Sequence, residues 1–462
     1  MPAPPPSSSR ETGRVAPESA RERAHFSLFG IPVRIGLGFW LIAFVLGFQP
    51  GAASFAAGAR NALAWTAILF VSILLHELGH ALVARAFGAR PVISLHAFGG
   101  LTQYIGVGMS RGRQILVSLA GPFTGFAFGA LVFLAGRRFA AVDPALVRHL
   151  LLVNVGWGMV NLLPVLPLDG GNVLAAALGP KRTFATWVIS GTFAVAVTVL
   201  GLYLRQIFIV VLFGFAAVQA IGQARLAWAA RVDARDGLER LLASAKLALE
   251  RGELDDAHLI ADDVIGRAKS QAVRNGGYTA LAWVFVERGQ GSKAKAALAE
   301  IDPPYAVDPY TMAAVEDAAG DAGRARAILE EARRQGFRTI EAGKLLIDLY
   351  ARDGRLEAAV DVAQEDADLL SRDEVHAVFQ AAMDGGATRA AARVAARMFE
   401  LHGRPSDAID EARALALSDD VAGALAALAH AVAVGPIDRE AIRNDPAFAQ
   451  LVGDERFERI VS

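Results

Sequence analysis

The stretch SILLHELGHALVAR, residues Ser72 to Arg85, places two histidines, a glutamate and an arginine inside an apolar run that extends from Leu63 to Phe87. An α-helix needs about 20 mainly apolar residues to cross a bilayer, so this run is long enough. Ionisable side chains at membrane depth are energetically costly, and they are functional by default. The stretch therefore predicts a membrane-spanning helix that carries a functional site.

Within this stretch, the segment from His76 to His80 has the pattern HExxH. Residues i and i+4 lie on one face of a helix, so both imidazoles can reach one metal ion, and Glu77 can contact water bound to that ion. The alternative is a solvated helix face, for which the apolar surroundings are a poor setting. A catalytic zinc site usually has three protein ligands. A third intramembrane ligand is therefore expected.

Asp169 is the best candidate for the third ligand. It lies in NLLPVLPLDGGNVL (Asn161–Leu174), where prolines and glycines oppose a regular helix. Irregular backbone near membrane depth is tolerated only where it is buried in protein or lines a wet cavity. The alternative is an aspartate that caps a surface turn, and the spacing alone leaves both interpretations open.

The composition narrows the classes of function. The chain has 462 residues, is 54% hydrophobic and carries a formal net charge of −1, and its mean hydropathy is +0.36. The small net charge does not favour a nucleic-acid partner. No cysteine is present, so disulfides and thiolate metal sites are excluded. Any metal must be held by His, Asp or Glu.

Six apolar runs predict an all-α, polytopic membrane helix bundle of about six spans. A single helix from Ala185 to Ile221 would be about 55 Å long, which exceeds the hydrocarbon core, so Arg205 and Gln206 are expected to separate two spans. Residues 1–25 are rich in Pro, Ser and Arg and predict a disordered arm, followed by a membrane domain over residues 26–228. The six runs are Ile31–Phe48, Leu63–Phe87, Ile115–Ala135, Leu150–Val165, Ala185–Leu204 and Ile207–Ile221.

The distribution of arginine and lysine predicts the orientation. These residues are more frequent in the N-terminal arm and in the second-to-third and fourth-to-fifth connections than in the other loops. The positive-inside rule then places both termini in the cytoplasm. In this topology His76, His80 and Asp169 reach one depth near the cytoplasmic face. The prediction is an integral protein of the cell (inner) membrane whose direct environment is the lipid bilayer.

Residues 229–462 contain a repeated pattern in which a turn is followed by an alanine. The pattern recurs at intervals close to 34 residues and predicts stacked helix pairs, a cytoplasmic α-helical repeat solenoid. This array resembles tetratricopeptide repeats, which implies a protein partner. No catalytic cluster is visible in it. The repeated alanines are Ala257, Ala294, Ala325, Ala359, Ala390 and Ala424.

The chain resembles the site-2 proteases, a family of intramembrane zinc metalloproteases, from about Phe26 to Ile221. The resemblance rests on GIPVRI, HELGH, LHAFGG, SLAGPFTG and NLLPVLPLDGG in this order. It implies a Zn²⁺ cofactor bound by His76, His80 and Asp169, with Glu77 as the general base. It also implies that Asn161 helps to hold the substrate backbone or the oxyanion. Asn172 departs from the family, in which arginine often follows LDGG.

The segment PVISLHAFGGLTQYIG (Pro91–Gly106) predicts a small β-hairpin between spans two and three. Its alternating apolar residues flank Gly99 and Gly100. An intramembrane protease must unwind its substrate helix, and an edge strand can pair with the freed backbone groups. Largely through the resemblance, Phe98, Gly99 and Gly100 are predicted to bind substrate; the alternative is a simple connecting turn.

The functional prediction is an intramembrane zinc endopeptidase. It would cleave a transmembrane or juxtamembrane peptide bond of a membrane-anchored protein, as in regulated intramembrane proteolysis. The main alternative is a catalytically idle membrane anchor for a helical-repeat scaffold. A transporter with a polar midplane site is disfavoured, because the membrane half shows no internally repeated spans.

Overall fold

The computed structural model describes residues 25–48, 54–97, 99–105, 108–139 and 143–462. Its contacts divide the chain into an N-terminal unit that ends at Val232 and a C-terminal unit that begins at Asp233. The arm predicted over residues 1–25 lies outside the described residues except for His25.

A four-stranded sheet lies in the N-terminal unit. Its strands β1 (Phe26–Leu28), β2 (Ile31–Ile35), β3 (Arg90–His96) and β4 (Gly99–Ile105) follow the order β1-β2-β3-β4. The β1–β2 and β3–β4 pairs are antiparallel, and the central β2–β3 pair is parallel. The predicted hairpin is therefore present as β3 and β4, and β4 is an edge strand.

This sheet corrects the prediction of an all-α membrane domain in one respect, because it contains β1 and β2 besides the predicted hairpin. The first predicted span, Ile31–Phe48, begins as β2 and becomes helical only in α1 (Leu37–Gly47), which has 11 residues. Eleven residues make a helix of about 16 Å, against a hydrocarbon core of about 30 Å. The helix starts late because apolar residues alternate with Pro32 and Arg34 in IPVRI, a pattern that suits a strand paired with β3. Apolar content alone does not separate such a strand from a buried helix.

Four helices of the described residues are long and apolar enough to cross a membrane, which supports an integral membrane protein. The fifth and sixth predicted spans are separate helices, as expected, because the chain turns at Leu204–Gln206. The four helices are α2 (Phe55–Ala86), α3 (Arg111–Arg138), α7 (Thr183–Tyr203, preceded by a 3₁₀ turn at Pro180–Arg182) and α8 (Ile207–Arg235).

The fourth predicted span, Leu150–Val165, differs from a regular helix in its form and bounds. Helix α4 (Pro144–Leu151) continues through a π-helical turn (Leu152–Gly156) into α5 (Trp157–Asn161). The helix ends at Asn161, ahead of two prolines that cannot donate helical hydrogen bonds. After a short irregular segment the chain re-enters a helix at α6 (Asp169–Leu178).

Helix α3 makes close contacts at glycines with α2 and with the π-helical turn. A Cβ on Gly79 would lie 2.4 Å from Thr124 Oγ1, and one on Gly125 would lie 3.1 Å from the Asn154 carbonyl oxygen. Asn154 also donates a buried 2.8 Å hydrogen bond to Ser72 Oγ. In a bilayer the hydrophobic effect does not drive helices together, so close packing of small residues and interhelical polar contacts of this kind stabilise their association.

The C-terminal unit is helical throughout, apart from its turns. From α9 to α20, consecutive helices pack against each other. The helices are α9 (Leu238–Glu250), α10 (Leu254–Arg267), α11 (Gln271–Glu287), α12 (Gly291–Ala299), α13 (Pro309–Ala318), α14 (Ala322–Arg334), α15 (Ile340–Arg352), α16 (Leu356–Glu365), α17 (Arg372–Asp384), α18 (Thr388–His402), α19 (Pro405–Leu417), α20 (Val421–Val434), α21 (Arg439–Arg443) and α22 (Glu455–Val461), with 3₁₀ turns at Pro304–Ala306 and Pro446–Leu451.

The six repeated turns share one backbone conformation. In each, a residue with positive φ ends a helix, and the next amide donates to the carbonyl five residues earlier, the pattern of a Schellman cap. Asp419, with a φ of 64°, occupies the position that glycine takes in the other five turns. The alanines of the repeat are all buried. The five glycines are Gly252, Gly289, Gly320, Gly354 and Gly386.

Candidate metal centre

His76 and His80 lie on one face of α2, as the HExxH spacing predicts. Their ring centroids are 4.9 Å apart, and their Nε2 atoms are 3.2 Å apart. Both side chains are largely shielded from solvent, with exposures of 12% and 9%. The two nitrogens therefore converge on one point inside the N-terminal unit.

Asp169 joins them from a position 93 residues away along the chain. It is the first residue of α6, and its Oδ2 lies 3.1 Å from His76 Nε2, while its Oδ1 lies 3.3 Å from His80 Nε2. The carboxylate thus faces the histidines. An aspartate that only caps a surface turn would not place both carboxylate oxygens beside the two histidines.

These three side chains form a group that could hold a metal ion, and no other such group occurs in the parts of the chain that the structure describes. A tetrahedral zinc site with ligand distances of about 2.0–2.1 Å has edges of roughly 3.3 Å, which matches the observed separations. Three protein ligands leave a fourth position for water. The donor set therefore fits Zn²⁺.

The second nitrogen of His80 is also fixed. Its Nδ1 lies 2.6 Å from the carbonyl oxygen of Val117 in α3. Nδ1 donates to that oxygen when it carries the proton, which leaves the Nε2 lone pair free for a metal. Sequence reasoning did not identify this contact, because a backbone carbonyl leaves no signature in residue type.

Glycines make room for the ligands. A Cβ on Gly121 would lie 2.2 Å from His80 Nε2 and 2.8 Å from His76 Nε2. A Cβ on Gly170, next to Asp169, would lie 2.1 Å from the Leu162 carbonyl oxygen. The first glycine in SLAGPFTG and the first in LDGG thus permit close approaches that any side chain would block.

Glu77 is buried beside the two histidines, with 5% of its surface exposed. Its Oε2 accepts a 2.7 Å hydrogen bond from Thr102 Oγ1 on β4. Gly100 on the same strand lies against it, since a Cβ there would be 2.4 Å from Glu77 Cγ and Oε1. Thr102 is a further residue that the sequence did not single out.

Asn161, the last residue of α5, also lies beside the candidate metal ligands. It is 8% exposed, and its Nδ2 lies 3.4 Å from His76 Nε2. If the lone pair of that nitrogen binds a metal, the Asn161 amide is left free to donate elsewhere. The structure therefore brings Asn161 next to the ligands.

The predicted substrate segment is partly described. Phe98 lies outside the described residues. Gly99 pairs with His96 at the start of β4, and Gly100 pairs with Leu95. His96 does not belong to the metal-binding group.

A cavity of about 850 Å³ opens onto the centre. Glu77, His80 and Asp169 line it together with Gly100 and Thr102 of β4. Asn172, the position that departs from the family pattern, also lies on its wall. Glu77, two of the candidate ligands and the edge strand thus border one open volume.

Comparison with known proteins relates the chain to zinc metalloproteases. It is 29% identical over 163 residues to a zinc metalloprotease of Methanocaldococcus jannaschii, a match over 34% of this chain and 45% of that protein. It is 37% identical over 149 residues to the Mycobacterium tuberculosis protein Rip3, which is also named as a zinc metalloprotease, a match over 30% of this chain and 37% of Rip3. The matches thus cover less than half the length of these relatives.

Two further comparisons complete these findings. No family model matches the chain. Among solved structures, the site-2 protease from Methanocaldococcus jannaschii is 26% identical and aligns over 43% of this chain and 94% of its own, with a TM-score of 0.34.

Proposed function

We propose that this protein is an intramembrane zinc endopeptidase of the site-2 protease type. The observation that supports this proposal most strongly is the convergence of His76, His80 and Asp169 beside Glu77, with both histidines on an apolar helix long enough to span a membrane. The similarity to proteins named as zinc metalloproteases agrees with it. The reaction would be hydrolysis of a peptide bond in or next to a transmembrane segment.

Zinc is the metal that best suits two imidazoles and one carboxylate. When bound, it would lower the pKa of a water molecule to about 7 and polarise a carbonyl. Glu77 would accept the proton of the attacking water and later return it to the leaving amine. The burial of Glu77 suits this role, because bulk solvent does not compete for its carboxylate.

Asn161 would donate a hydrogen bond to the substrate, either to its backbone or to the oxygen on which negative charge develops. The position of the amide next to His76 supports this role. One preorganised donor of this type typically contributes about 3–4 kcal/mol to transition-state stabilisation.

The edge strand β4 would receive the substrate. An unwound transmembrane segment exposes backbone groups that need hydrogen-bond partners, and a free strand edge supplies them. Gly100 and its neighbours line the cavity that contains Glu77, so a strand added at this edge would lie beside the base. Phe98, Gly99 and Gly100 are proposed as the residues that contact it.

The C-terminal unit would bind a protein through a tetratricopeptide-like array. The shared turn geometry and the buried alanines support a helical repeat. The partner would be the substrate protein or a regulator of its cleavage, as in regulated intramembrane proteolysis. Both termini are proposed to lie in the cytoplasm, from the distribution of positive charge.

The alternative is a catalytically idle membrane anchor that carries the repeat array as a scaffold. It requires no metal and no base. The close fit of three ligand atoms and the glycine at position 121 argue against it, because an idle anchor gains nothing from a polar cluster at membrane depth.

The test is proteolysis by the purified full chain in phosphatidylglycerol vesicles. The probe is a fluorogenic peptide with a polyleucine transmembrane segment interrupted by Asn-Pro, which favours local unwinding. Glu77→Gln is expected to lower kcat by about 100-fold or more, and removal of zinc by a chelator should abolish cleavage until zinc is restored. Glu250→Gln, at an exposed position, is the matched control. Cleavage by Glu77→Gln at the wild-type rate would refute the proposed function.

A further inference from the structure

Thr102 makes the one direct polar side-chain contact to Glu77 seen in the described residues. Its Oγ1 lies 2.7 Å from Glu77 Oε2 and 3.1 Å from the Glu77 carbonyl oxygen. A hydroxyl has one proton, and it is donated mainly to the closer, charged oxygen. Hydrogen bonds to a charged group are roughly twice as strong as neutral ones. The contact therefore restrains the carboxylate and not only the helix backbone.

The backbone of Gly100 packs against the other oxygen of the same carboxylate. Residues i and i+2 of a strand point to the same face, so Gly100 and Thr102 both face Glu77. A Cβ on Gly100 would lie 2.4 Å from Glu77 Oε1, which means that the glycine backbone packs directly against this oxygen. Two successive same-face positions of β4 thus define where the Glu77 side chain lies.

We propose that Thr102 is a positioning residue that orients Glu77 as the general base. This inference rests on the proposed function. Because Thr102 engages Oε2, Oε1 is left to accept the proton from water, and this oxygen has no hydrogen-bond donor within the described ranges. A base held in one orientation does not have to be ordered at each turnover, and misplacement of a catalytic group by about 1 Å can cost 100-fold in rate.

Strand β4 would have two separate roles, one through its backbone and one through the side chain of Thr102. Substrate addition to a strand edge uses the backbone N–H and C=O groups, whereas Glu77 is held by the Thr102 side chain. Valine has the shape of threonine and suits a strand. Thr102→Val should therefore keep the edge for substrate and remove only the hydrogen bond to Glu77.

The first test needs neither metal nor substrate. Thermal unfolding of the chelator-treated full chain is measured for Thr102→Val, Glu77→Ala and the double variant. Thr102→Val is expected to lower the Tm by about 2 °C or more in the wild-type background. It should lower the Tm by clearly less when Glu77 is already alanine, because only the bond to the backbone carbonyl of residue 77 is then lost. An equal shift in both backgrounds would show that the two side chains are not coupled and would overturn the proposal.

The second test measures turnover of the Asn-Pro polyleucine peptide in phosphatidylglycerol vesicles. Thr102→Val is expected to lower kcat by roughly 10- to 100-fold with KM and zinc content unchanged, and Thr102→Ser should recover kcat to within about threefold because the hydroxyl returns. Thr198→Val is the control, since the Thr198 hydroxyl bonds only the Ala194 carbonyl of its own helix. A wild-type kcat, or a change confined to KM, in Thr102→Val would overturn the proposal.

The cleavage assay gives different results if the proposed function is wrong and if only the role of Thr102 is wrong. If Glu77→Gln cleaves the peptide as fast as the wild type, Glu77 is not the base and both proposals fall. If Glu77→Gln is inactive and Thr102→Val is fully active, only the role of Thr102 is refuted. The two failures are therefore distinguishable in one set of variants.

Discussion

Gly121 contributes to the candidate metal centre by lacking a side chain. It lies in α3 directly opposite the two imidazoles, and a Cβ there would come within 2.2 Å of His80 Nε2. The carbonyl oxygen of Val117, one turn earlier in α3, lies 2.6 Å from His80 Nδ1 and accepts a hydrogen bond from it when that nitrogen carries the proton. The helix therefore both orients a ligand and leaves room for it.

Substitution of Gly121 by alanine should displace the histidines without unfolding the helix, because alanine is a better helix former than glycine. Zinc affinity is expected to fall at least tenfold, the effect typical of disturbed residues behind metal ligands, as measured by competition with a chromogenic chelator. Gly112→Ala in the same helix is the matched control, because nothing lies within 4 Å of a Cβ at that position. Equal zinc affinities for the two variants would contradict this reading of the site.

At the scale of elements, the C-terminal unit depends on small residues between neighbouring helices. Ala325 of α14 is fully buried, and the helix begins at the exposed Ala322 one turn earlier. Closely packed cores lose stability when extra methylenes are forced into them. The alanines of the repeat therefore set how near adjacent helices can come.

Ala325→Leu is expected to destabilise the C-terminal unit by about 1–3 kcal/mol through overpacking. Faster hydrogen exchange in α13, α14 and α15 would report this loss. Ala322→Leu inserts the same side chain at the exposed start of α14 and should leave exchange nearly unchanged. Similar protection in the two variants would show that the burial of Ala325 does not limit packing.

At the scale of the whole molecule, orientation in the membrane can be tested directly, because the chain has no cysteine and a single introduced thiol is labelled without background. In right-side-out vesicles, Ser462→Cys should react with a membrane-impermeant maleimide only after permeabilisation if both termini are cytoplasmic. Arg138→Cys, at the end of α3 in a loop predicted on the other face, should react at once. The opposite labelling pattern would reverse the topology inferred from the positive charges.

The local pattern of the sequence was sufficient to predict part of this structure. His76 and His80 are four residues apart on one helix, so helix geometry alone brings them together. The prolines ahead of Asp169 predicted the irregular backbone that the structure has at residues 162–168, whereas Gly170 and Gly171 are helical. The repeated turns and alanines predicted stacked helices, because the same hydrogen-bonding and packing needs recur in each repeat.

The tertiary structure decided what depends on contacts between distant segments. The spacing left open whether Asp169 is a ligand or caps a surface turn, and only the tertiary structure brings its carboxylate to His76, from which 93 residues of chain separate it. Ile31–Ile35 forms a strand and not the start of a span because β3 is available to pair with it. Thr102 has no recognisable motif of its own. Gly121 lies in SLAGPFTG, but its role comes only from the side chains that face it. Residue type and spacing therefore determined which groups could do chemistry, whereas packing determined which of them meet.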